Sequence, residues 1–185
     1  MKLRETFLKR NISVAGDAVS FHIDTVRLPN GKKAKREYLD HPGAVAVIAL
    51  AKKNQIVFVK QYRHAVGEIT WEIPAGKLYR GENPLQCVKR ELEEETGYTA
   101  KRFKKLISFW PTAAFANEII HVYIAHGLKS GKPNPDQDEF LECALWPLSK
   151  AIKAIRSGKI KDGKTLIGLL AFLTFESGTR NKRGT

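Results

Sequence analysis

GKLYRGENPLQCVKRELEEETGY, residues 76–98, places five glutamates between two glycines in 23 residues of a chain whose formal net charge is +13. Its boundaries can be read locally. Asn83 is a predicted N-cap, Pro84 suits the first helical position, and Gly97 supplies a left-handed stop. At about 100° per residue, Leu85, Val88 and Leu92 form an apolar stripe. Glu91 and Glu95 lie roughly 40° apart beside that stripe, and Glu94 sits further round.

Such a helix opposes its own dipole. Glu91, Glu93, Glu94 and Glu95 crowd the C-terminal half, where backbone carbonyls already concentrate negative charge, and Glu91 repels Glu95 at i,i+4. Each effect costs a few tenths of a kcal/mol up to about 1 kcal/mol. A positive partner is therefore expected. Carboxylate oxygens suit a hard divalent cation, magnesium or manganese, and no thiolate or imidazole pattern nearby points to zinc. The competing reading of an acidic run is a solvated helix face.

The spacing decides between them. Gly76, then Glu82, then Arg90-Glu91-Leu92, Glu94-Glu95 and Gly97-Tyr98 fill all nine constrained positions of the Nudix box, so the chain resembles the Nudix hydrolases. The resemblance implies an α+β fold, an α/β/α sandwich with a mixed sheet, preceded here by an N-terminal antiparallel β subdomain. It also implies hydrolysis of a nucleoside diphosphate linked to another moiety. By the same resemblance the metal ligands are Glu91, Glu95, Glu94 and the backbone carbonyl of Ala75, with Mg2+ as cofactor and Mn2+ able to substitute. Arg90 is expected to orient the glutamates by salt bridging.

Composition sets outer bounds. A length of 185 residues, 43% hydrophobic and 28% charged, fits one globular domain with room for a small subdomain. The strong positive charge suits polyanionic ligands, nucleotides among them. Cys87 and Cys143 show no metal or disulfide pattern and are expected as buried free thiols. Met1 to Arg10 lacks the apolar core of a signal peptide, and the longest apolar runs, residues 44–51 and 166–173, are too short to span a bilayer. A cytoplasmic enzyme without membrane association is the expectation.

Three regions are expected: an N-terminal β subdomain at 1–41, the main domain at 42–176, and a fraying basic tail at 177–185. Val19 to His41 reads as a hairpin turning at Pro29-Asn30-Gly31, and residues 44–51 as a strand buried on both faces. A second strand runs from Gln55 to Tyr62 and delivers Arg63, whose guanidinium suits a diphosphate. Glu72 stands among apolar residues and should be paired, with Arg63 as the favoured partner. Gly76 permits close backbone approach. Two further helices are read near 149–156 and 162–175, the second with a core face of Leu166, Leu169, Leu170 and Leu173.

Within the family the chain is most similar to the ADP-ribose pyrophosphatase branch. That resemblance implies a homodimer built through the N-terminal sheet, a water-activating or metal-binding glutamate at Glu118, and substrate contacts from Arg63, Arg36 and Glu72. Where this branch has Ser-Pro-Gly, the chain has Thr112-Ala113-Ala114. ADP-ribose is the leading expected substrate, with GDP- or UDP-sugars next. The alternatives are dinucleoside polyphosphates, nucleoside triphosphates or capped RNA, and then a non-catalytic nucleotide-binding regulator. A small nucleotide, not nucleic acid, is the expected partner.

Overall fold

The structure is a computed structural model and describes residues 3–180. The chain divides into two compact units, one formed by residues up to Gly43 with Trp110–Ile119, the other by Ala44–Phe109 with Ile120 onward.

The first unit is a three-stranded antiparallel sheet of β1 (Thr6–Ala15), β2 (Ser20–Arg27) and β3 (Lys33–Asp40) in the order β1-β2-β3. The expected hairpin is β2 and β3, closed by a turn at Leu28–Lys32 in which Gly31 takes φ 84. β1 has no counterpart in the sequence reading, because its charged residues hide the pattern that pairing with β2 reveals. Arg10, on β1, bonds Asp24 on β2 at 2.9 Å and the Tyr38 hydroxyl on β3 at 2.7 Å. Residues 110–119 join this unit through strand-like bonds, Leu39 N–H to the Phe115 carbonyl at 2.9 Å and His41 N–H to Asn117 Oδ1 at 2.8 Å. The expected boundary at 41 leaves this returning segment out.

The second unit is organised by β4 (Ala44–Ala49), whose six residues are all buried. Strand alternation sends its two faces to two cores. Ala44, Ala46 and Ile48 pack with Phe58, Ile73, Val122, Trp146, Ala154 and Leu169, and Val45, Val47 and Ala49 pack with Cys87, Val88 and Leu92. Burying a Val or Ile side chain contributes about 1.5–3 kcal/mol, so β4 needs apolar residues on both faces. β4 pairs in parallel with β9 (Ile120–Ser130) and antiparallel with β7 (Ala75–Lys77), and β8 (Tyr98–Phe109) completes the mixed sheet in the order β7-β4-β9-β8. A second sheet holds β10 (Glu142–Pro147), β5 (Gln55–Arg63) and β6 (Glu68–Glu72). Helix α1 (Pro84–Thr96) packs on one face of β4, and residues of α2 (Leu148–Arg156) and α3 (Gly163–Arg180) join the core on the other. The expected α+β class with helices on both faces of a mixed sheet is thus the observed one.

The α1 boundaries follow their local signals. Asn83 Oδ1 accepts the Leu85 N–H at 2.8 Å, Pro84 opens the helix, and Gly97 closes it at φ 70. One member of the expected stripe changes: Val88 and Leu92 are buried, but Leu85 stays 38% exposed and Cys87 is buried in its place. On α3, Leu170 is exposed and Phe172 packs against the core instead. α3 also runs to Arg180, past the expected end near Phe175, and the rest of the basic tail lies outside the described residues. Cys143 is exposed, against the expectation that both thiols would be buried.

Gly97 is the position where the C-terminus of α1 depends on the missing side chain. A Cβ there would meet backbone atoms of Lys132 and Pro133 at 2.7 Å, in a conformation that L side chains resist. Gly97→Ala should lower unfolding free energy by more than about 1 kcal/mol, read as a lower urea midpoint with an unchanged m-value.

Candidate active site

The acidic residues of α1 meet the β7 backbone. The Ala75 N–H donates to Glu95 Oε2 at 3.0 Å. A Cβ added to Gly76 would overlap the Glu91 carboxylate, so that carboxylate lies directly on the glycine backbone in space a side chain would occupy. Glu91 is 8% exposed and Glu95 3%.

Burial pushes the Glu91 carboxyl up to about 7, against the pull of the Arg90 guanidinium. Burial likewise pushes Glu95 up to about 8, opposed by the Ala75 N–H and reinforced by the charges of Glu91 and Glu139. Two adjacent buried carboxylates cannot both ionise at neutral pH without added positive charge.

Arg90 supplies part of that charge from within the chain. Its Nη1 lies 2.8 Å from Glu91 Oε1 and 2.8 Å from Glu94 Oε2, and its Nε lies 3.2 Å from Glu82 Oε1. The guanidinium also stacks 4.4 Å from the Tyr79 ring centroid. The expectation that Arg90 would pair with the glutamates matches these contacts.

A second charged cluster surrounds Glu72, which is 1% exposed. Glu72 accepts from Arg63 Nε at 2.8 Å and Nη2 at 2.7 Å, from Thr70 Oγ1 at 2.5 Å, and from Lys164 Nζ. Burial works against its ionisation, but the Arg63 fork and Lys164 outweigh burial and hold the carboxyl down at about 2. The expected Arg63–Glu72 pair is present, and Lys164 is a partner that sequence reasoning missed. Asp162-Gly163-Lys164-Thr165 reads only as a helix start, and nothing local shows that it meets a residue 92 positions away.

The remaining predicted residues fall in both units. Ala75, Glu91, Glu94 and Glu95 are brought together with Arg90, and Arg63 is joined to Glu72. Arg36 and Glu118 belong to the first unit. There Arg36 Nε bonds Glu5 Oε2 at 3.0 Å, and Glu118 Oε1 lies 3.8 Å from His41 Nε2. Glu139 stands before β10, its carboxyl is raised by burial, and it shares with Tyr62, Ile69 and Phe140 the lining of a cavity of about 420 Å3.

The donor set fits a hard divalent cation. Among the described residues no group of three or more His, Cys, Asp or Glu side chains is arranged to hold a metal ion by itself. Magnesium does not require one, since it is commonly bound through one or two carboxylates together with water and substrate phosphate. Two buried carboxylates kept from full ionisation provide such a partial set.

Known proteins resemble this chain in sequence and in fold. A model of the NUDIX domain matches residues 40–166. The chain is 43% identical over 180 residues to a methanol dehydrogenase activator of Bacillus methanolicus, covering 96% of this chain and 97% of that protein. It is 42% identical over 165 residues to an ADP-ribose pyrophosphatase of Bacillus subtilis (strain 168), covering 88% and 89%. A solved structure described as an ADP compounds hydrolase superposes with a TM-score of 0.84 at 16% identity, covering 97% of this chain and 98% of that one, and shares its fold. Among the described residues no helix is long and apolar enough to cross a membrane.

The raised Glu91 and Glu95 carboxyls set a pH dependence. A carboxyl with a folded pKa above its unfolded value of about 4.5 contributes stability that is complete below that value and is lost as pH rises through the folded pKa. In a chelator, the urea midpoint should therefore fall between about pH 5 and pH 8, and Glu95→Gln should flatten that fall. Adding Mg2+ should raise the midpoint more at pH 8.5 than at pH 5.5, because the cation favours the ionised pair.

Proposed function

The chain belongs to the NUDIX domain family, and from that premise we propose that it is a divalent-cation-dependent pyrophosphohydrolase of nucleoside diphosphate sugars, acting on ADP-ribose to give AMP and ribose 5-phosphate. The observation that carries this reading is the buried Glu91 and Glu95 pair seated on the backbone of Ala75 and Gly76. The 42% identity to an ADP-ribose pyrophosphatase supports the substrate class.

Glu91, Glu95, Glu94 and the Ala75 carbonyl would hold Mg2+, with Mn2+ able to take its place. When bound, the cation would supply charge to offset the diphosphate and would acidify an attacking water. The chain's own residues do the remaining work. Arg90 keeps Glu91 and Glu94 in register through its shared Nη1. Arg63 spends Nε and Nη2 on Glu72 and keeps Nη1 for a phosphate oxygen. Glu72 orients that guanidinium, and Arg36 is the further proposed substrate contact.

Glu118 is the proposed general base, held beside His41. A second reading gives this role to Glu139. One observation favours it: the charge of Glu139 contributes to the raised carboxyls of both Glu91 and Glu95. Proton abstraction requires hydrogen-bond reach of the water, so the two carboxylates are separable by mutation.

The N-terminal sheet is the proposed homodimer contact. Its outer strand β1 leaves Phe7, Ile12 and Val14 exposed, an apolar load that suits association. A cytoplasmic location belongs to the same reading.

Four measurements test these statements. Glu95→Gln should reduce Mg2+-dependent ADP-ribose turnover on the order of a thousandfold while the circular dichroism spectrum is retained, and a rate like that of the wild type would refute the metal assignment. With a panel of ADP-ribose, GDP-mannose, UDP-glucose, diadenosine polyphosphates and nucleoside triphosphates, the wild type should release a nucleoside monophosphate and a sugar phosphate from the sugar nucleotides. Of Glu118→Gln and Glu139→Gln, the variant lacking the base should lose roughly 100-fold or more in kcat, and the other should stay near wild type. Light scattering should give twice the 20.8 kDa chain mass, and Phe7→Glu with Val14→Glu should halve it.

A further inference from the structure

We infer that Lys164 is a positioning residue that fixes the Arg63 guanidinium for the substrate diphosphate, acting through Glu72. The inference rests on the proposed diphosphate chemistry and concerns how its arginine is held.

Strand register shows why Arg63 needs help. In the β5–β6 hairpin Arg63 lies opposite Glu68, whereas Glu72 lies opposite Val59. The carboxylate nearest in register is thus Glu68, yet Arg63 reaches back along the hairpin to Glu72, four positions away. Two lysines beside the start of α3 account for this choice. Lys161 Nζ takes Glu68, at 2.9 Å and 2.7 Å from its two oxygens. Lys164 Nζ takes Oε2 of Glu72, the oxygen that also accepts Arg63 Nη2. Glu72 therefore receives four donors and has no freedom to turn.

Lys164 is itself fixed. Its Nζ lies 3.0 Å from Asp162 Oδ1, and Asp162 Oδ2 accepts from the Thr165 N–H at 2.9 Å and from Thr165 Oγ1 at 2.6 Å. Thr165 Oγ1 in turn accepts the Ile73 N–H at 3.0 Å, which ties the first turn of α3 to the residue after Glu72. The side chains of Lys164 and Glu72 are 11% and 1% exposed, and little water competes for these bonds. Arg63, at 44% side-chain exposure, is the member of the cluster that reaches solvent. Among the described residues its Nη1 has no partner.

The charge arrangement follows from the same contacts. Arg63 and Glu72 by themselves form a neutral pair. Lys164 shares that carboxylate but is itself paired with Asp162, whose charge also acts on Arg63. The four groups together are neutral, and what Lys164 adds is a fixed orientation of Glu72 and the guanidinium. A guanidinium whose rotamer is fixed before substrate arrives loses less entropy on binding.

The test uses the full chain. In Lys164→Met the 15N–1H signal of Arg63 Nε, identified by its loss in Arg63→Lys, should broaden or disappear, and in Lys164→Arg it should persist. With Mg2+ and ADP-ribose, Lys164→Met should raise KM roughly tenfold and leave kcat within about twofold. Lys164→Arg should recover most of that loss, and Lys161→Met should raise KM less than Lys164→Met, because it frees Glu68 without loosening Glu72. Combining Arg63→Lys with Lys164→Met should add little to the worse single variant, since both act on one contact. An unchanged Arg63 Nε signal in Lys164→Met overturns the inference, as do an unchanged KM and fully multiplicative effects. If Lys164→Met fails to fold, Lys164→Gln keeps most of the stem and is read by the same criteria. If the wild type cleaves no sugar nucleotide, the proposed function fails, and the Arg63 signal alone then decides the positioning role.

Discussion

The structure depends on the contact between the Glu91 carboxylate and a backbone that carries no side chain at Gly76. A larger residue at 76 would take the space of the Glu91 carboxylate and turn that side chain out of its seat toward water, where its pKa would relax toward the ordinary range. The buried core under the same helix, Cys87, Val88 and Leu92 against Val45 and Val47, supplies the force that holds it down. Apolar burial thus keeps two charged groups where they would not go by themselves. Arg90 limits the cost by lying against Glu82, Glu91 and Glu94 together.

Much of this was legible in the sequence, and the reason is locality. Asn83, Pro84 and Gly97 act on bonds within a few residues, so the α1 boundaries needed no knowledge of the rest of the chain. The uniform apolarity of residues 44–49 likewise demanded burial on both faces, whatever lay there. The failures involve partners distant in sequence. β1 is held by pairing with β2 and by Arg10 meeting Asp24 and Tyr38, which charged residues alone do not announce. Residues 110–119 join the N-terminal sheet by backbone bonds to Leu39 and a side-chain bond to His41, and backbone bonds leave no trace in residue type.

Small rotational errors had a physical cause too. The stripe on α1 was drawn from the most apolar residues, which put Leu85 inside. A surface wide enough to bury Glu91 and Glu95 is turned toward β7, and that rotation brings Cys87 in and leaves Leu85 partly exposed. On α3, the bulk of Phe172 fills space that Leu170 was expected to fill. Periodicity gives the existence of a face, and neighbouring volume sets its centre.

The two buried carboxylate sites show how one unit can drive the same chemical group in opposite directions. Glu72 and Glu95 are nearly equally buried, at 1% and 3% exposure, and desolvation disfavours the ionised form of each. Glu72 has Arg63 and Lys164 on its oxygens and stays ionised down to about pH 2. Glu95 has one backbone N–H and acidic neighbours, so it holds its proton up to about pH 8. Burial alone cannot explain a difference of that size, so the placement of fixed cations must. Lys164 acts on Glu95 only as the last of its influences, and Arg90 bonds Glu91 and Glu94 rather than Glu95. The site where positive charge is withheld is the one that can accept it from outside, and the site where it is built in can only orient what it holds.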